Sequence, residues 1–296
     1  MFSARLFFRR AYRLVRLGLH LLRAVIFAGV FFPIVSHAWR DRLISHWSRG
    51  LLKVLGVRMQ AGPAPTLPGG ALLVCNHVSW LDIYLIYGAR RVYFVSKSEI
   101  RAWPVFGWLA HQGGTLFLER GRRADTVRVN QAMHELMQQG AWVAVFPEGT
   151  TSDGRGLKRF LPSLLQPAVT LGCPIVPAAL RYRTQAGAYS AIPAYIDEMT
   201  MWQSVKRIIS EPDLVAELTF GEPLAPDRHR RELAAHAQIA VAELLGVSLT
   251  GAQPTVSPGA NVVGNRARTP GDLPAESPSI ARPTSNPYPA QSDPGV

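Results

Sequence analysis

Cysteine is nearly absent from this 296-residue chain, which holds only Cys75 and Cys173. Neither belongs to a metal-type spacing and two cannot build a disulfide framework, so a stapled secreted scaffold is excluded. A reducing, cytoplasm-facing compartment is the natural setting. Acidic residues are missing from the first forty positions, Asp41 being the first. No uninterrupted apolar run approaches the roughly 20 residues that a bilayer span requires. The best stretch, 24–35, is short and contains Pro33. A mean hydropathy close to zero excludes a polytopic membrane protein. Large apolar residues thin out after residue 249, where Pro, Ser, Gly, Asn and Ala dominate. Such a segment cannot bury enough surface to offset its ordering entropy, so 249–296 is expected to be a disordered tail.

What is present is a hydrophobic share of 48%, enough for a real core, and 32 basic against 20 acidic residues, a net charge of +12. The length leaves room for one sizeable α/β domain, expected at 41–248, plus appendages. The charge implies a polyanionic partner: nucleic acid, an anionic bilayer or acidic substrates. Arg5, Arg9, Arg13, Arg16, His20 and Arg23 fall within roughly 80° of one face of a helix. Phe7, Leu14, Leu17, Leu21 and Val25 largely avoid that stripe. A basic amphipathic helix of this kind is expected to lie on anionic lipid. A nucleic-acid-binding arm would have no use for the Phe31-Phe32-Pro33-Ile34-Val35 run that follows, so nucleic acid is not expected as a partner. Ser36-His37-Ala38 imitates a signal-peptidase site, but the basic region before it is long and the apolar region carries a proline. Residues 1–40 are therefore read as a re-entrant or marginally spanning anchor, with the N-terminus cytoplasmic by the positive-inside tendency.

Beyond the anchor the pattern alternates. An amphipathic helix at 41–55 leads to strands at 57–60 and 71–75, a helix to about 87, and a strand at 91–96 ending at Lys97. A short aromatic helix near 103–110 precedes a strand at 115–118 and a helix at 125–139. A strand at 142–146, a helix near 157–171, a strand from 174 to about 182, a helix at 199–209, a strand at 214–220 and a helix at 227–245 complete the domain. Strands alternating with helices indicate an α/β fold with a mixed, largely parallel sheet flanked by helices.

The chain is organised around Asn76 to Asp82, reading Asn-His-Val-Ser-Trp-Leu-Asp. Ser79 and Asp82 form a capping-box signature opening an apolar helix, so His77 sits in the turn between strand end and helix start. In one continuous helix His77 and Asp82 would stand about 140° apart. Across a strand–turn–helix they can meet, the carboxylate accepting from one imidazole nitrogen and leaving the other as a base. Taken alone, Asp82 as a mere cap and His77 as a polar turn residue is an equally good reading. The residues Lys97, Arg120 and Glu148 also fall at strand C-terminal ends, where ligands collect in open α/β sheets. A His/Asp pair, a basic cluster and a Glu-Gly-Thr turn on one sheet edge point to an anionic substrate.

Four blocks resemble the 1-acylglycerol-3-phosphate acyltransferase family: Asn76-His77-x4-Asp82, the stretch from Gly114 through Glu119 to Arg120, Phe146-Pro147-Glu148-Gly149-Thr150, and Ile175-Val176-Pro177. Their order and spacing fit, over roughly residues 40 to 225. The N-terminal anchor also resembles that family's membrane-inserting helices. The resemblance implies acyl transfer from acyl-carrier protein or coenzyme A to a lysolipid hydroxyl at the cytoplasmic face of the cell membrane. It makes His77 the general base and Asp82 its orienting carboxylate. Arg120 and, as a lesser candidate, Lys97 would meet the anionic head group, with Gly114, Glu148, Gly149, Thr150 and Thr151 around the acceptor. It implies neither metal nor cofactor. Backbone N–H groups at the helix start after His77 are candidate oxyanion donors. One position departs from the pattern: many members carry arginine after Glu-Gly-Thr, where it helps bind the acceptor phosphate, and this chain has Thr151. Arg122, Arg123, Arg155 or Lys158 would then substitute, or the acceptor is a phosphate-free lysolipid such as a lyso-ornithine lipid. Two rivals are a thioesterase or esterase using the same pair on water, and a non-catalytic basic membrane-binding module. The aromatic stretch at 103–108 argues for a site that excludes water, which favours transfer over hydrolysis.

Overall fold

The computed structural model describes residues 2–103, 106–119 and 123–249; Arg120, Arg122 and the expected tail lie outside the described residues. Among these residues, seven strands form one sheet: β1 (Val57–Ala61), β2 (Ala71–Cys75), β3 (Tyr93–Lys97), β4 (Leu116–Leu118), β5 (Trp142–Val145), β6 (Ile175–Thr184) and β7 (Leu214–Phe220). Their order is β1-β7-β6-β2-β5-β3-β4, with every neighbouring pair parallel except β6 against β7. The sheet is thus mixed and largely parallel, as expected.

Every residue of β2 is buried, because helices cover both faces of the sheet, and a doubly covered strand reads as a continuous apolar run. Leu73 and Cys75 face one core with α2 (His37–Leu55), α3 (Leu81–Ala89) and α7 (Met201–Ser210). Leu72 and Val74, one residue out of phase, face the other with α5 (Arg123–Gln138), α6 (Gln166–Leu171) and α8 (Arg230–Leu245). The short α4 (Phe106–Gln112) packs beside the 3-10 turn Ser98–Ala102.

One expected helix is much shorter than its pattern. The helix near 157–171 becomes a 3-10 turn, Pro162–Leu165, followed by α6, which opens with Pro167 in its first turn. Proline lacks an N–H and clashes with the preceding turn, so the helix cannot extend backward through it. Residues 157–161 run instead as a loop whose N–H groups bond to other parts of the molecule: Phe160 N–H to Gln238 Oε1 at 3.3 Å and Leu161 N–H to the Pro147 carbonyl at 2.8 Å.

The N-terminal segment adds to the sequence reading in two ways. Helix α1 (Phe2–Ile26) continues through a π-helical turn, Phe27–Phe31, so that Ala4–Phe31 is one stretch of 28 residues, long and apolar enough to cross a membrane. At 1.5 Å per residue it is about 42 Å long. The short apolar run supplies only its end, 24–31, and then leaves the helix. The basic stripe, moreover, is partly turned inward. Arg9 donates to the Ser210 carbonyl at 2.6 Å, and Arg13 donates to the carbonyls of Ile209 at 3.0 Å and Glu211 at 2.6 Å. The last carbonyls of α7 have no partner within their own helix and carry the negative end of its dipole, so they attract these cations. His20 is buried and stacks on Trp47. The face left exposed is apolar, with Phe7, Phe8, Tyr12, Val15, Leu19 and Leu22.

Candidate active site

Chain direction changes at Asn76. This fully buried amide imitates one more residue of strand: its Oδ1 accepts the Leu180 N–H at 2.7 Å and its Nδ2 donates to the Leu180 carbonyl at 3.0 Å. The backbone is thereby free to leave β2 while β6 stays hydrogen-bonded. His77 follows, its ring stacked on Phe146 with centroids 3.9 Å apart and planes 7° from parallel. Its Nδ1 lies 2.8 Å from Asp82 Oδ2, in the first turn of α3.

Asp82 is wholly inaccessible, and an isolated charge there would be very unfavourable. Four donors compensate it. Oδ2 accepts the N–H groups of Val78 at 2.7 Å and Ser79 at 2.9 Å as well as His77 Nδ1, and Oδ1 accepts the Tyr182 hydroxyl at 2.6 Å. An ionised carboxylate only accepts, so Nδ1 carries the proton and Nε2 keeps its lone pair. Among the described residues Nε2 has no hydrogen-bond partner, and the side chain is 19% exposed, enough to meet a substrate.

The expected capping box is half realised. Asp82 reaches back to the Ser79 N–H, but the Ser79 hydroxyl accepts from Leu81 N at 3.3 Å rather than from Asp82 N. Most of the expected oxyanion donors at this helix start are already engaged. Val78 and Ser79 N–H are held by Asp82, and His77 N–H donates to Glu148 Oε1 at 2.7 Å. Tying the turn to a buried carboxylate consumes the Val78 and Ser79 N–H groups that would otherwise point outward.

The turn is clasped from several sides. The His77 carbonyl accepts Ser152 N–H at 2.8 Å, and the Val78 carbonyl accepts Tyr195 N–H at 2.9 Å. Trp80 Nε1 donates to the buried Ser204 on α7 at 3.0 Å. Glu148 spans two loops, its second oxygen accepting the Lys158 N–H at 2.9 Å. Burial pushes the Glu148 carboxyl upward, opposed by those two backbone hydrogen bonds and by the neighbouring His77 and Lys158. Gly154, at φ +83°, approaches so closely that an added Cβ would lie 3.0 Å from Val78 Cγ2. Only glycine adopts that conformation without strain.

The other residues singled out in the sequence are dispersed. Gly149 turns at φ 71° directly after Glu148, and Thr150 is exposed at the rim. The Thr151 hydroxyl donates to the Tyr195 carbonyl, so it acts as a loop tie, and its own carbonyl accepts Lys158 Nζ at 2.8 Å. Arg155 is exposed, with its guanidinium 4.8 Å from the Tyr189 ring centroid. Lys97 closes β3 opposite Leu118, its side chain lying outside the description together with that of Arg123. Gly114 does not join them. It precedes β4 at the level of Tyr93, whose ring an added Cβ would meet at 2.7 Å. By strand register that level is Leu72 on β2, five residues before His77 and so about 16 Å back along the sheet. Its φ of +80° shapes a turn there. The functional neighbourhood also includes residues the sequence did not single out: Tyr182, Ser152 and Tyr195. Tyr182 comes from β6, 100 positions from Asp82, and no spacing rule announces it.

Comparisons with known proteins identify relatives of this chain. A family model described as Acyltransferase matches residues 60–181. The chain is 37% identical over 185 residues to a 1-acyl-sn-glycerol-3-phosphate acyltransferase of Neisseria meningitidis serogroup B, covering 61% of this chain and 71% of that protein. It is 36% identical over 204 residues to a lyso-ornithine lipid O-acyltransferase of Pseudomonas aeruginosa, covering 68% and 78%. The crystal structure of the 1-acyl-sn-glycerophosphate acyltransferase PlsC of Thermotoga maritima superposes with a TM-score of 0.63 at 20% identity, over 83% of this chain and 97% of that one. At that identity the likeness concerns the fold alone.

Proposed function

The chain belongs to the 1-acylglycerol-3-phosphate acyltransferase family and is an O-acyltransferase with a lipid acceptor and an acyl donor, and we propose that it acylates 1-acyl-glycerol-3-phosphate to phosphatidate. The donor is the thioester of acyl-carrier protein or of coenzyme A. His77 Nε2 takes the proton of the acceptor hydroxyl while Asp82 holds the ring through Nδ1. The oxygen attacks the thioester carbonyl, the new C–O ester bond forms as the C–S bond breaks, and the imidazolium returns its proton to the departing thiolate. General-base assistance of this kind contributes about 10²–10⁴-fold. The reading is carried by one observation: an accessible imidazole nitrogen behind which Nδ1 bonds a buried carboxylate at 2.8 Å. Glu148 supports the His77 turn from behind, and Thr150 stands at the acceptor rim. The exposed apolar face of α1 lies in the bilayer, with the catalytic domain on its cytoplasmic side.

A second acceptor is favoured by one specific observation. By its resemblance to the family, Thr151 stands where many members carry arginine; its hydroxyl is already bonded to Tyr195, and Lys158 Nζ donates to the Thr151 carbonyl. A phosphate-free lysolipid such as lyso-ornithine lipid fits that loss, and Lys158 is one of the cations that would serve a phosphate. The test offers labelled acyl-carrier protein, with lysophosphatidate or lyso-ornithine lipid, to purified protein in detergent. Phosphatidate formation supports the first reading, and product from lyso-ornithine lipid alone replaces it with the second. Free fatty acid without an acceptor would mean a hydrolase.

A further inference from the structure

We propose that Tyr182 is a positioning residue for the acyl transfer, its hydroxyl fixing the plane and charge of Asp82 and through it the basicity of His77 Nε2. The proposal rests on His77 being the base. Ala178, Leu180 and Tyr182 are alternate residues of β6 and so share the sheet face that α3 covers. Leu180 holds Asn76, at the start of the turn, and Tyr182 holds Asp82, at its end. One strand therefore sets both ends of the segment that carries His77.

The torsion about a carboxylate is broad, so the donors around it decide its orientation. Oδ2 has three donors, at 2.7, 2.8 and 2.9 Å, whereas Tyr182 is the donor to Oδ1 among the described residues. Water cannot take its place at a side chain with no accessible surface. Burial, and next the adjacent Asp82 charge, push the Tyr182 phenol well above its ordinary range, so it remains a donor. The other titratable groups facing the pair are Cys75 on β2 and Glu148, with Lys158, on the loops after β5. Burial pushes the Cys75 thiol well up, which keeps it neutral.

Removing the hydroxyl leaves Oδ1 with no donor. The carboxylate then either pairs more tightly with the imidazolium or takes a proton itself, and both require higher pH to free Nε2 as a base. The experiment measures kcat/KM against pH for Tyr182→Phe and for fluorotyrosine incorporated at position 182. Tyr182→Phe is expected to lower kcat about tenfold near neutral pH, the scale of one charge-assisted hydrogen bond. Its acid limb should move to higher pH with the acceptor KM unchanged. Fluorotyrosine keeps the ring's shape and donates more strongly, so its acid limb should move to lower pH; this variant keeps the test open if Tyr182→Phe folds poorly. In an Asp82→Asn background Tyr182→Phe should shift the limb no further. Acid limbs unmoved in both variants would overturn the proposal and leave Tyr182 a packing residue. A His77→Ala control that retains the parent rate would instead remove the base on which the proposal depends.

Discussion

Replacing Asn76 with alanine probes how the catalytic turn is held. The Asn76 amide makes two good hydrogen bonds to Leu180, both in a fully buried place. Alanine removes both and leaves a backbone N–H and a carbonyl without partners, each costing about 1–3 kcal/mol. The vacated space is about an amide in size, and a water entering it would recover part of that, so we expect a loss of about 2–4 kcal/mol. For a folded unit of this size each kcal/mol is worth about 2–4 °C, which places the midpoint about 5–15 °C lower. Tryptophan fluorescence melts in detergent measure it directly. The same change loosens His77 relative to Asp82, so kcat should fall well before the protein melts, with acceptor KM little altered. A melting midpoint within about 2 °C of the parent, together with an unchanged kcat, would refute the view that Asn76 anchors the turn.

Gly154→Ala forces a Cβ to within 3.0 Å of Val78 Cγ2 at a left-handed φ of +83°. It should destabilise by about 1–2 kcal/mol in a thermal melt and slow transfer. Arg9→Ala combined with Arg13→Ala removes the guanidinium bonds to the end of α7. Hydrogen exchange in α1 should then accelerate while the amides of β2 and β6 stay protected, and unchanged α1 exchange would show that apolar packing alone docks the helix. Glu148 gives a pH signature. Burial raises its folded value above the ordinary one, so the folded state holds its proton to higher pH. Stability contributed by this group therefore declines as pH rises from the ordinary glutamate value, about 4.3, through the raised folded one. Glu148→Gln should flatten that slope in melts measured against pH, and an identical slope in both proteins would contradict it.

Local physics made much of the fold readable. The fully apolar 71–75 read as a short buried strand, and it pairs with β5 and β6 at the sheet centre. The alternation of strands and helices announced the parallel part of the sheet, and the His77/Asp82 spacing allowed a contact across a turn, with a mere cap as an equal reading. Three features were not legible. Residues 157–161 carry a helix-compatible pattern, but Pro162 and Pro167 confine the helix to their C-terminal side, and tertiary bonds claim the remainder. The basic stripe of α1 resembles a lipid-facing one because periodicity reports which residues share a face, and not what that face meets. Here two of its members, Arg9 and Arg13, meet the carbonyls at the end of α7. Tyr182 was hidden because antiparallel pairing with β7 and parallel pairing with β2 decide which distant residue reaches Asp82. Those pairings depend on the whole sheet.

The most direct measurement is the initial rate of acyl transfer by purified His77→Ala protein, alongside the parent and Asp82→Asn, at saturating donor with varied lysolipid. His77 as general base predicts a loss of about 10²–10⁴-fold in kcat for His77→Ala, with acceptor KM near the parent value and melting preserved. Asp82→Asn should lose activity in the same direction. A folded His77→Ala protein that transfers acyl groups within a few-fold of the parent rate would contradict the assignment of the base.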